Sequence, residues 1–531
     1  MTARGVARAA LLIAGLTVLS RLAGLGRIVV FGRTVGATCL GDTYQAVNTV
    51  PNIVFEVVAG GALAGLVIPL LAGAAESGDR ARVTQGASAL LSWTLLLLVP
   101  PAVLVAVFAE PLTGLLLGHK ASCGPDAVRV GASMLRVFAP QVPLYGVGIV
   151  LTGLLQASRR FGAPALAPLL SSAVVIGSYV GYAALAPAGT DIATVSPTAQ
   201  RILSVGSTLG VVALSLSLVW PVLRQGVRLR PTLRFPTGMA SRAAALAGAG
   251  VLVLAAQQAA VAVTLVLGNA PGVPAGRMTV LSFAQTVFLL PWAVLAVPLA
   301  TSVFGRLAGQ WESGDLAGYR RAVSGSLRAL ILACTLAAAT LVAVAKPVAR
   351  VLVQGAPGRP SVAPLAAGIT ALAPGLVGFG LSALLSRALY AQGGARPTAL
   401  AGVAGWAVVI GADVVLARVF TPADRVLALA LGNTVGMTVL GGLLLGAVAH
   451  RSGAAALAGL PRVAAVGSAA AVLAGAAGLL VGRALPEGSW VAAAGQALMA
   501  GATVLAVFGV VAWRLCRADL AALLALRRAR A

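Results

Sequence analysis

The chain has 531 residues, of which 59% are hydrophobic and only 10% are charged, and its formal net charge is +25. A soluble globular domain carries about 25% charged residues, so the composition excludes a protein that covers itself with polar surface in water. It also argues against a nucleic-acid-binding protein, because the arginines lie between apolar runs and not in one basic domain.

Apolar runs of about 20 residues predict membrane-spanning helices. The first run follows Arg4 and Arg8 as a signal peptide would, but it is longer than a signal core, so we interpret it as a retained first helix. No segment between the runs is long enough for a soluble domain, which predicts an all-α polytopic membrane protein. The predicted spans number about fourteen and lie near 6–31, 44–74, 84–109, 128–156, 162–186, 200–223, 240–267, 277–305, 322–345, 362–390, 396–418, 426–449, 459–483 and 489–516.

The basic residues predict the orientation of the chain. If the N-terminus is cytoplasmic, most arginines of the connecting segments fall on the inner side and few fall on the outer side. By the positive-inside rule both termini are therefore predicted to be cytoplasmic. The final segment, 517–531, is predicted to form a basic amphipathic helix on the inner membrane face.

The cysteines and histidines give little sign of a metal. Cys39 and Cys123 both fall in predicted outer loops, where they form either a disulfide or two unpaired thiols. The chain has no CxxC spacing and only two histidines, so we predict neither a metal site nor a cofactor.

An internal echo predicts two similar halves. The segments 154–168 and 389–403 each place a proline after a short basic loop, and Pro164 and Pro397 are 233 residues apart. The natural division is two six-helix lobes around a central cavity, with two further helices at the C-terminal end. This predicts an N-terminal lobe at 1–239, a C-terminal lobe at 240–450, the last two spans at 451–516 and the tail beyond them.

Arg21 and Arg27 lie within the first predicted span, with no acidic residue beside them. A charge at the bilayer centre costs about 2.5–3.5 kcal/mol on insertion scales and is usually functional. We expect the two arginines to form an anion site that lines a water-filled cavity. The alternative is that the side chain of Arg27 extends along the helix and reaches the lipid head groups at the membrane surface.

Three further polar residues are candidates for substrate binding. Asp42 either caps the second span or pairs with Arg27 or Arg33, and Glu56 is either the counter-ion of Arg21 or a site for a coupling ion. Gln285, in the eighth span, either binds substrate or forms a hydrogen bond between helices.

Four segments make the chain similar to the MurJ (MviN) family. They are "SRLAGLGR" at 20–27, "GDTYQAVNTVPNIVFEVVAGGALAGLVIPLL" at 41–71, "QASRRFGAPALAPLL" at 156–170 and "SRALYAQGGARPTAL" at 386–400. Members of this family are lipid II flippases of the multidrug/oligosaccharidyl-lipid/polysaccharide exporter superfamily. The resemblance implies two six-helix lobes around a cavity, and a groove at the last two helices for the lipid tail.

The resemblance also implies roles for individual residues. Arg21 and Arg27 match the two arginines of the family's first helix, and Asp42 matches an acidic residue at the start of its second helix. Several charged positions differ: Phe55 and Glu56 stand where the family often has paired arginines, and Gln285 stands where an acidic residue is common. About half of the charged residues expected in the cavity are therefore replaced.

The resemblance favours a flippase that moves lipid II from the inner to the outer leaflet by alternating access. The chain has no nucleophile elbow, zinc motif or Walker loop, so we expect a transporter and not an enzyme. Lipid II or a related undecaprenyl-pyrophosphate lipid, membrane lipids and cell-wall synthesis proteins are the expected partners, with no nucleic acid. The alternatives are an exporter of another lipid-linked saccharide or a drug, and a transport-inactive cell-wall scaffold.

Overall fold

The computed structural model describes residues 3–118, 123–187, 190, 192–236, 239–358, 361–485 and 488–516. Helices dominate these ranges, which contain no strand, and this confirms the predicted all-α class. Eleven helical segments in them are long and apolar enough to cross a membrane, or twelve if one bent pair counts as a single span. The number of fourteen spans stays a prediction, and the predicted tail helix at 517–531 lies outside the described residues.

The chain divides by its packing into two compact units, residues 1–279 with 355–358, and residues 280–354 with 359–531. The predicted seventh span, 240–267, belongs to the first of these units, and the two last predicted spans belong to the second. The predicted lobe limits at 239 and 450 stay a prediction.

The helices of the first unit follow the predicted spans closely. A π-helical segment, Glu56–Gly60, connects α2 to α3. The helices are α1 (Ala3–Thr34), α2 (Cys39–Phe55), α3 (Gly61–Glu76), α4 (Arg80–Val107), α5 (Ala109–Leu117), α6 (Asp126–Phe138), α7 (Gln141–Ala157), α8 (Gly162–Leu185), α9 (Pro197–Leu216), α10 (Val219–Leu223) and α11 (Met239–Gly268).

The remaining helices run from the boundary between the units to residue 515. A second π-helical segment, Trp292–Ala296, connects α12 to α13. The helices are α12 (Arg277–Pro291), α13 (Val297–Glu312), α14 (Leu316–Val353), α15 (Val362–Leu372), α16 (Gly375–Ala391), α17 (Ala395–Val419), α18 (Arg425–Ser452), α19 (Leu460–Ala484) and α20 (Trp490–Leu515). The longest, α14, packs against α15, α16, α19 and α20 and is the central helix of the second unit.

Proline interrupts the same span in each half of the sequence. Pro140 lies between α6 and α7, and Pro374 lies between α15 and α16, where the chain bends by 42°. Proline has no N–H to donate and its ring clashes with the preceding turn, so a helix breaks there. The two prolines are 234 residues apart, close to the offset of Pro164 and Pro397.

A four-residue motif, Glu-Ser-Gly-Asp, also occurs in both halves, at 76–79 and 312–315. Gly78 and Gly314 have left-handed backbones, with φ of 73° and 74°, which ends one helix without a steric penalty. The next residue caps the following helix: Asp79 accepts from Arg82 N at 2.9 Å, and Asp315 accepts from Gly318 N at 2.7 Å. The π-helical segments repeat at the same spacing, so the internal duplication extends well beyond the proline pair.

A disulfide joins Cys39 to Cys123, with the two Cα atoms 5.4 Å apart. It connects the start of α2 to the turn that precedes α6, and it decides between the two alternatives for these cysteines. Bonding across 84 residues restricts the unfolded chain and stabilises the fold by about 2–4 kcal/mol.

Candidate arginine and tyrosine site

Arg21 and Arg27 lie on one unbroken helix, α1, which packs against α8. Arg21 is exposed and Arg27 is half-buried. Six residues along a helix correspond to a rise of about 9 Å, and the glycines between them do not interrupt the helix. Within the described part of the chain, neither guanidinium forms an ion pair or a hydrogen bond with a protein group.

Three tyrosines lie within electrostatic range of Arg27. Its charge acts electrostatically on Tyr44, Tyr145 and Tyr179, which come from α2, α7 and α8. The hydroxyls of Tyr44 and Tyr179 are 3.0 Å apart, and Tyr44 is also hydrogen-bonded to Ser207 Oγ at 2.6 Å. Ser207 in turn donates to Leu203 O at 2.7 Å, so this chain of hydroxyls is anchored to the backbone of α9.

Aromatic packing fixes the positions of these tyrosines. The ring of Phe31, one turn beyond Arg27 on α1, lies 5.2 Å from the rings of both Tyr44 and Tyr179. Phe138 meets Tyr44 edge to face at 5.8 Å. Pairs of this geometry add about 0.5–1.5 kcal/mol each beyond the area that they bury. The tyrosines are therefore held in place before any ligand arrives.

Tyr145 extends the polar surface along α7. Its ring packs on Phe55 at 5.7 Å, and its hydroxyl donates to Gln141 Oε1 at 3.4 Å and also interacts with the side chain of Asn52. Gln141 donates to Thr208 Oγ1 at 3.1 Å. The arrangement thus places a guanidinium among neutral side chains that are hydrogen-bonded to one another, and a guanidinium is suited to the oxygens of a phosphate.

Asp42 has a different environment from the two arginines. Only 1% of it is exposed, and its carboxylate accepts from Gly276 N at 2.7 Å, Thr279 N at 2.8 Å and Thr279 Oγ1 at 2.9 Å. It therefore caps the start of α12. The alternative that Asp42 caps its own helix is wrong, because Thr38 accepts the hydrogen bond from Gly41 N there. The pairing with Arg27 does not occur either.

Glu56 lies at the first position of the π-helical segment and is half-buried. It makes no ion pair with Arg21 within the described residues, so the predicted counter-ion pair is absent from this structure. π-Helical turns often occur at functional sites. A role for Glu56 toward substrate or a coupling ion stays a prediction.

Gln285 lies on α12 in the second unit and is half-buried. None of its side-chain atoms forms a hydrogen bond within the described residues. Its amide is therefore available to a ligand, and its role in binding stays a prediction. A cluster of three or more metal-ligating side chains is likewise not found among the residues that the structure describes.

Three residues near Arg27, namely Tyr44, Tyr145 and Tyr179, were not among the predicted site residues. The chain has only six tyrosines, and these three lie within predicted spans, where a polar tip needs a partner. The scarcity of tyrosine within the spans was the signal in the sequence that could have identified these three residues. Which helices bring the three together around Arg27 depends on tertiary packing.

Comparison with known proteins identifies the family. The sequence profile described as "Lipid II flippase MurJ" matches residues 31–492, which is most of the chain. The chain belongs to the lipid II flippase MurJ family. It is a multi-pass membrane protein, and the predicted resemblance is confirmed.

Two MurJ relatives show how far the sequence has diverged. The lipid II flippase MurJ of Burkholderia cenocepacia is 25% identical over 392 residues, which cover 72% of this chain and 73% of the relative. The probable lipid II flippase MurJ of Rhizobium meliloti is 24% identical over 357 residues, 64% of this chain and 62% of that protein, which is less than two thirds of its length.

The solved structures establish the MurJ fold. A lipid II flippase MurJ in an inward closed conformation matches with a TM-score of 0.74 and 16% identity, over 95% of this chain and 99% of that one. An inward-facing MATE-family multidrug transporter matches with a TM-score of 0.65 and 14% identity, over 84% of this chain and 98% of that one. At such identities the likeness is one of fold alone.

Proposed function

We propose that this protein moves lipid II from the inner to the outer leaflet of the bacterial plasma membrane by alternating access. The observation that carries the proposal is Arg27, a guanidinium inside a span that forms no ion pair within the described residues and has three tyrosines in electrostatic range. Membership of the MurJ family supports the choice of substrate. We further propose that no covalent chemistry occurs, that both termini are cytoplasmic, and that the partners are membrane lipids and cell-wall synthesis proteins.

The pyrophosphate of lipid II is the group that Arg27 would bind. A charge-assisted hydrogen bond contributes about 1.5–3 kcal/mol. The O–H groups of Tyr44 and Tyr145 are already donated to Ser207 and Gln141, so Arg27 would be the donor that the anion meets. Exposed Arg21, about 9 Å away along α1, would contact the anion first or hold its second phosphate. Asp42, Glu56 and Gln285 stay candidates for contacts with the rest of the substrate or with a coupling ion.

An inside-negative membrane potential favours this direction of transport. Each negative charge that crosses from the inner to the outer side gains about 2.3 kcal/mol per 100 mV. A site of fixed arginines would accept that charge on one side and release it on the other. No ATP-binding motif is required for such a cycle.

The test is complementation in bacterial cells depleted of their own lipid II flippase, with outer-leaflet lipid II as the readout. We expect Arg27→Ala to reduce outer-leaflet lipid II at least tenfold, which corresponds to about 1.4 kcal/mol, and Arg27→Lys to retain part of the activity. Arg306→Ala is the matched control, because Arg306 is an exposed arginine of α13 outside the proposed site.

Three outcomes are informative. If Arg21→Ala combined with Arg27→Ala still supports transport, the proposed site is refuted. If the unchanged protein, at normal abundance in the membrane, yields no outer-leaflet lipid II, the substrate is another lipid-linked saccharide or a drug. If growth is rescued without lipid II translocation, the protein is a scaffold.

A further inference from the structure

The connection between α10 and α11 carries an unusual surface, which we name the arginine strap, residues 224–236. It contains Arg224, Arg228, Arg230 and Arg234 and no acidic residue, and all four arginines are exposed. The strap belongs to the first unit and lies on the side that the positive-inside rule predicts to be cytoplasmic.

Hydrogen bonds hold the strap flat along α4. The amide of Arg230 donates to Ser88 Oγ at 3.1 Å, and the amide of Thr232 donates to Ser92 Oγ at 3.0 Å. Because Ser88 and Ser92 are four residues apart, they lie on one face of α4. A third bond runs in the opposite direction, from the indole N–H of Trp93 to Leu233 O at 3.1 Å.

The strap also has two faces. Val227, Leu229 and Phe235 pack into the hydrophobic core formed with α3, α4 and α7. Arg228, Arg230 and Arg234 are on the exposed side. A loop that only sets topology needs positive charge and no fixed conformation, so the anchoring bonds and the alternation indicate a built surface.

Two tryptophans indicate the depth of the strap. Trp93 is 38% exposed and Trp220 is 61% exposed, and the guanidinium of Arg224 lies 4.7 Å from the centre of the Trp220 ring. Exposed tryptophans of membrane proteins concentrate at the interface between lipid tails and water. The strap therefore lies at the level where lipid phosphates are found.

We propose that the arginine strap binds the phosphate groups of anionic phospholipids in the inner leaflet, with phosphatidylglycerol as the probe. One guanidinium group can bind two phosphate oxygens at once. Four guanidinium groups on one hydrogen-bonded segment present a row of such sites. The bound lipids fix α4 and the first unit at a constant depth in the membrane. This inference does not depend on which substrate the protein transports.

The test is native mass spectrometry of the full-length protein in neutral detergent, titrated with phosphatidylglycerol or with zwitterionic phosphatidylcholine. A strap variant replaces Arg224, Arg228, Arg230 and Arg234 with glutamine. A matched control makes the same replacement by glutamine at four exposed arginines of the second unit, so that both variants lose the same charge. These arginines are Arg306, Arg321, Arg396 and Arg462. Each strap arginine that lies beside the bound anionic head group should contribute about a fivefold change in affinity.

We expect the strap variant to bind phosphatidylglycerol at least tenfold more weakly, the control to remain within about twofold of the parent, and phosphatidylcholine to bind equally to all three. Inorganic phosphate should not compete at the concentrations at which the lipid binds. Equally weak binding of phosphatidylglycerol by both variants would mean that total charge, and not the strap, determines the affinity, and it would overturn the proposal. Undiminished binding to the strap variant would also overturn it.

A variant with all four positions changed to lysine guards against misfolding. It keeps the charge and should recover at least half of the lost affinity if the strap binds phosphate. If the glutamine variant binds lipid normally but loses an acidic protein from its complexes in cells, the strap is a protein-binding surface and the lipid proposal is wrong.

Discussion

Asp42 offers the sharpest test of how a charged residue in this fold is used. Replacement by alanine removes the acceptor of three buried hydrogen bonds, those from Gly276 N, Thr279 N and Thr279 Oγ1. Each buried donor left without an acceptor costs about 1–3 kcal/mol. A small pocket lined by Asp42, Thr43 and Asn269 adjoins the carboxylate, and water in it lowers that cost. We therefore expect Asp42→Ala to lower the free energy of unfolding by about 3 kcal/mol.

A double-mutant cycle separates capping from substrate binding. Thr279→Val replaces the hydroxyl donor to Asp42 with a methyl group of similar size and should cost about 1 kcal/mol alone, but almost nothing when Asp42 is already alanine. The free energy of unfolding is measured by SDS titration in mixed micelles. Thr38→Ala, which removes the cap of α2, is the control, and its effect should add to that of Asp42→Ala.

Additive effects of Asp42→Ala and Thr279→Val would refute the capping argument. So would an Asp42→Ala protein that unfolds like the parent but no longer transports, because Asp42 would then act on the substrate, as the sequence pattern predicts. Reduced stability with transport restored at lower temperature would assign Asp42 to the start of α12.

Two further predictions concern the backbone. A Cβ at Gly378 would overlap the Met437 carbonyl where α16 meets α18, so Gly378→Ala should lower the melting temperature in detergent by several degrees, whereas Gly446→Ala, with open space beside it, should leave it unchanged or higher. A stable Gly378→Ala protein would mean that the helices separate at no cost. Arg159 has a left-handed backbone, with φ of 57°, which strains any residue except glycine, and its ion pair with Glu76 is exposed. Arg159→Gly should therefore raise the melting temperature, whereas Arg159→Ala should not. Equal effects of the two substitutions would refute the argument from backbone strain.

Hydropathy alone located most of the helices, because lipid forces the backbone to bond within each apolar segment. Every predicted span coincides with helical structure, and the limits of α8, 162–185, differ from the prediction by one residue. The interruptions were missed. Pro140 and Pro374 lie inside predicted spans, and a hydropathy window averages over a single break.

The candidate site was only partly predictable. Arg21 and Arg27 are conspicuous because an uncompensated charge in an apolar run is rare. The tyrosines near Arg27 could not be predicted, because Tyr44, Tyr145 and Tyr179 are separated by up to 135 residues and come together only through packing. Asp42 is the reverse case: its charge is obvious in the sequence, but its partners are backbone amides 234 and more residues away, which no side-chain pattern reveals.

These two cases show how the same fold treats opposite charges differently. The Asp42 carboxylate accepts three hydrogen bonds from fixed donors at the start of α12. Within the described residues Arg27 forms no ion pair, so its charge remains costly in the empty protein. A phosphate that bound there, as we propose, would remove that cost. An acidic residue placed beside Arg27 would stabilise the empty protein and weaken the binding of an anionic lipid.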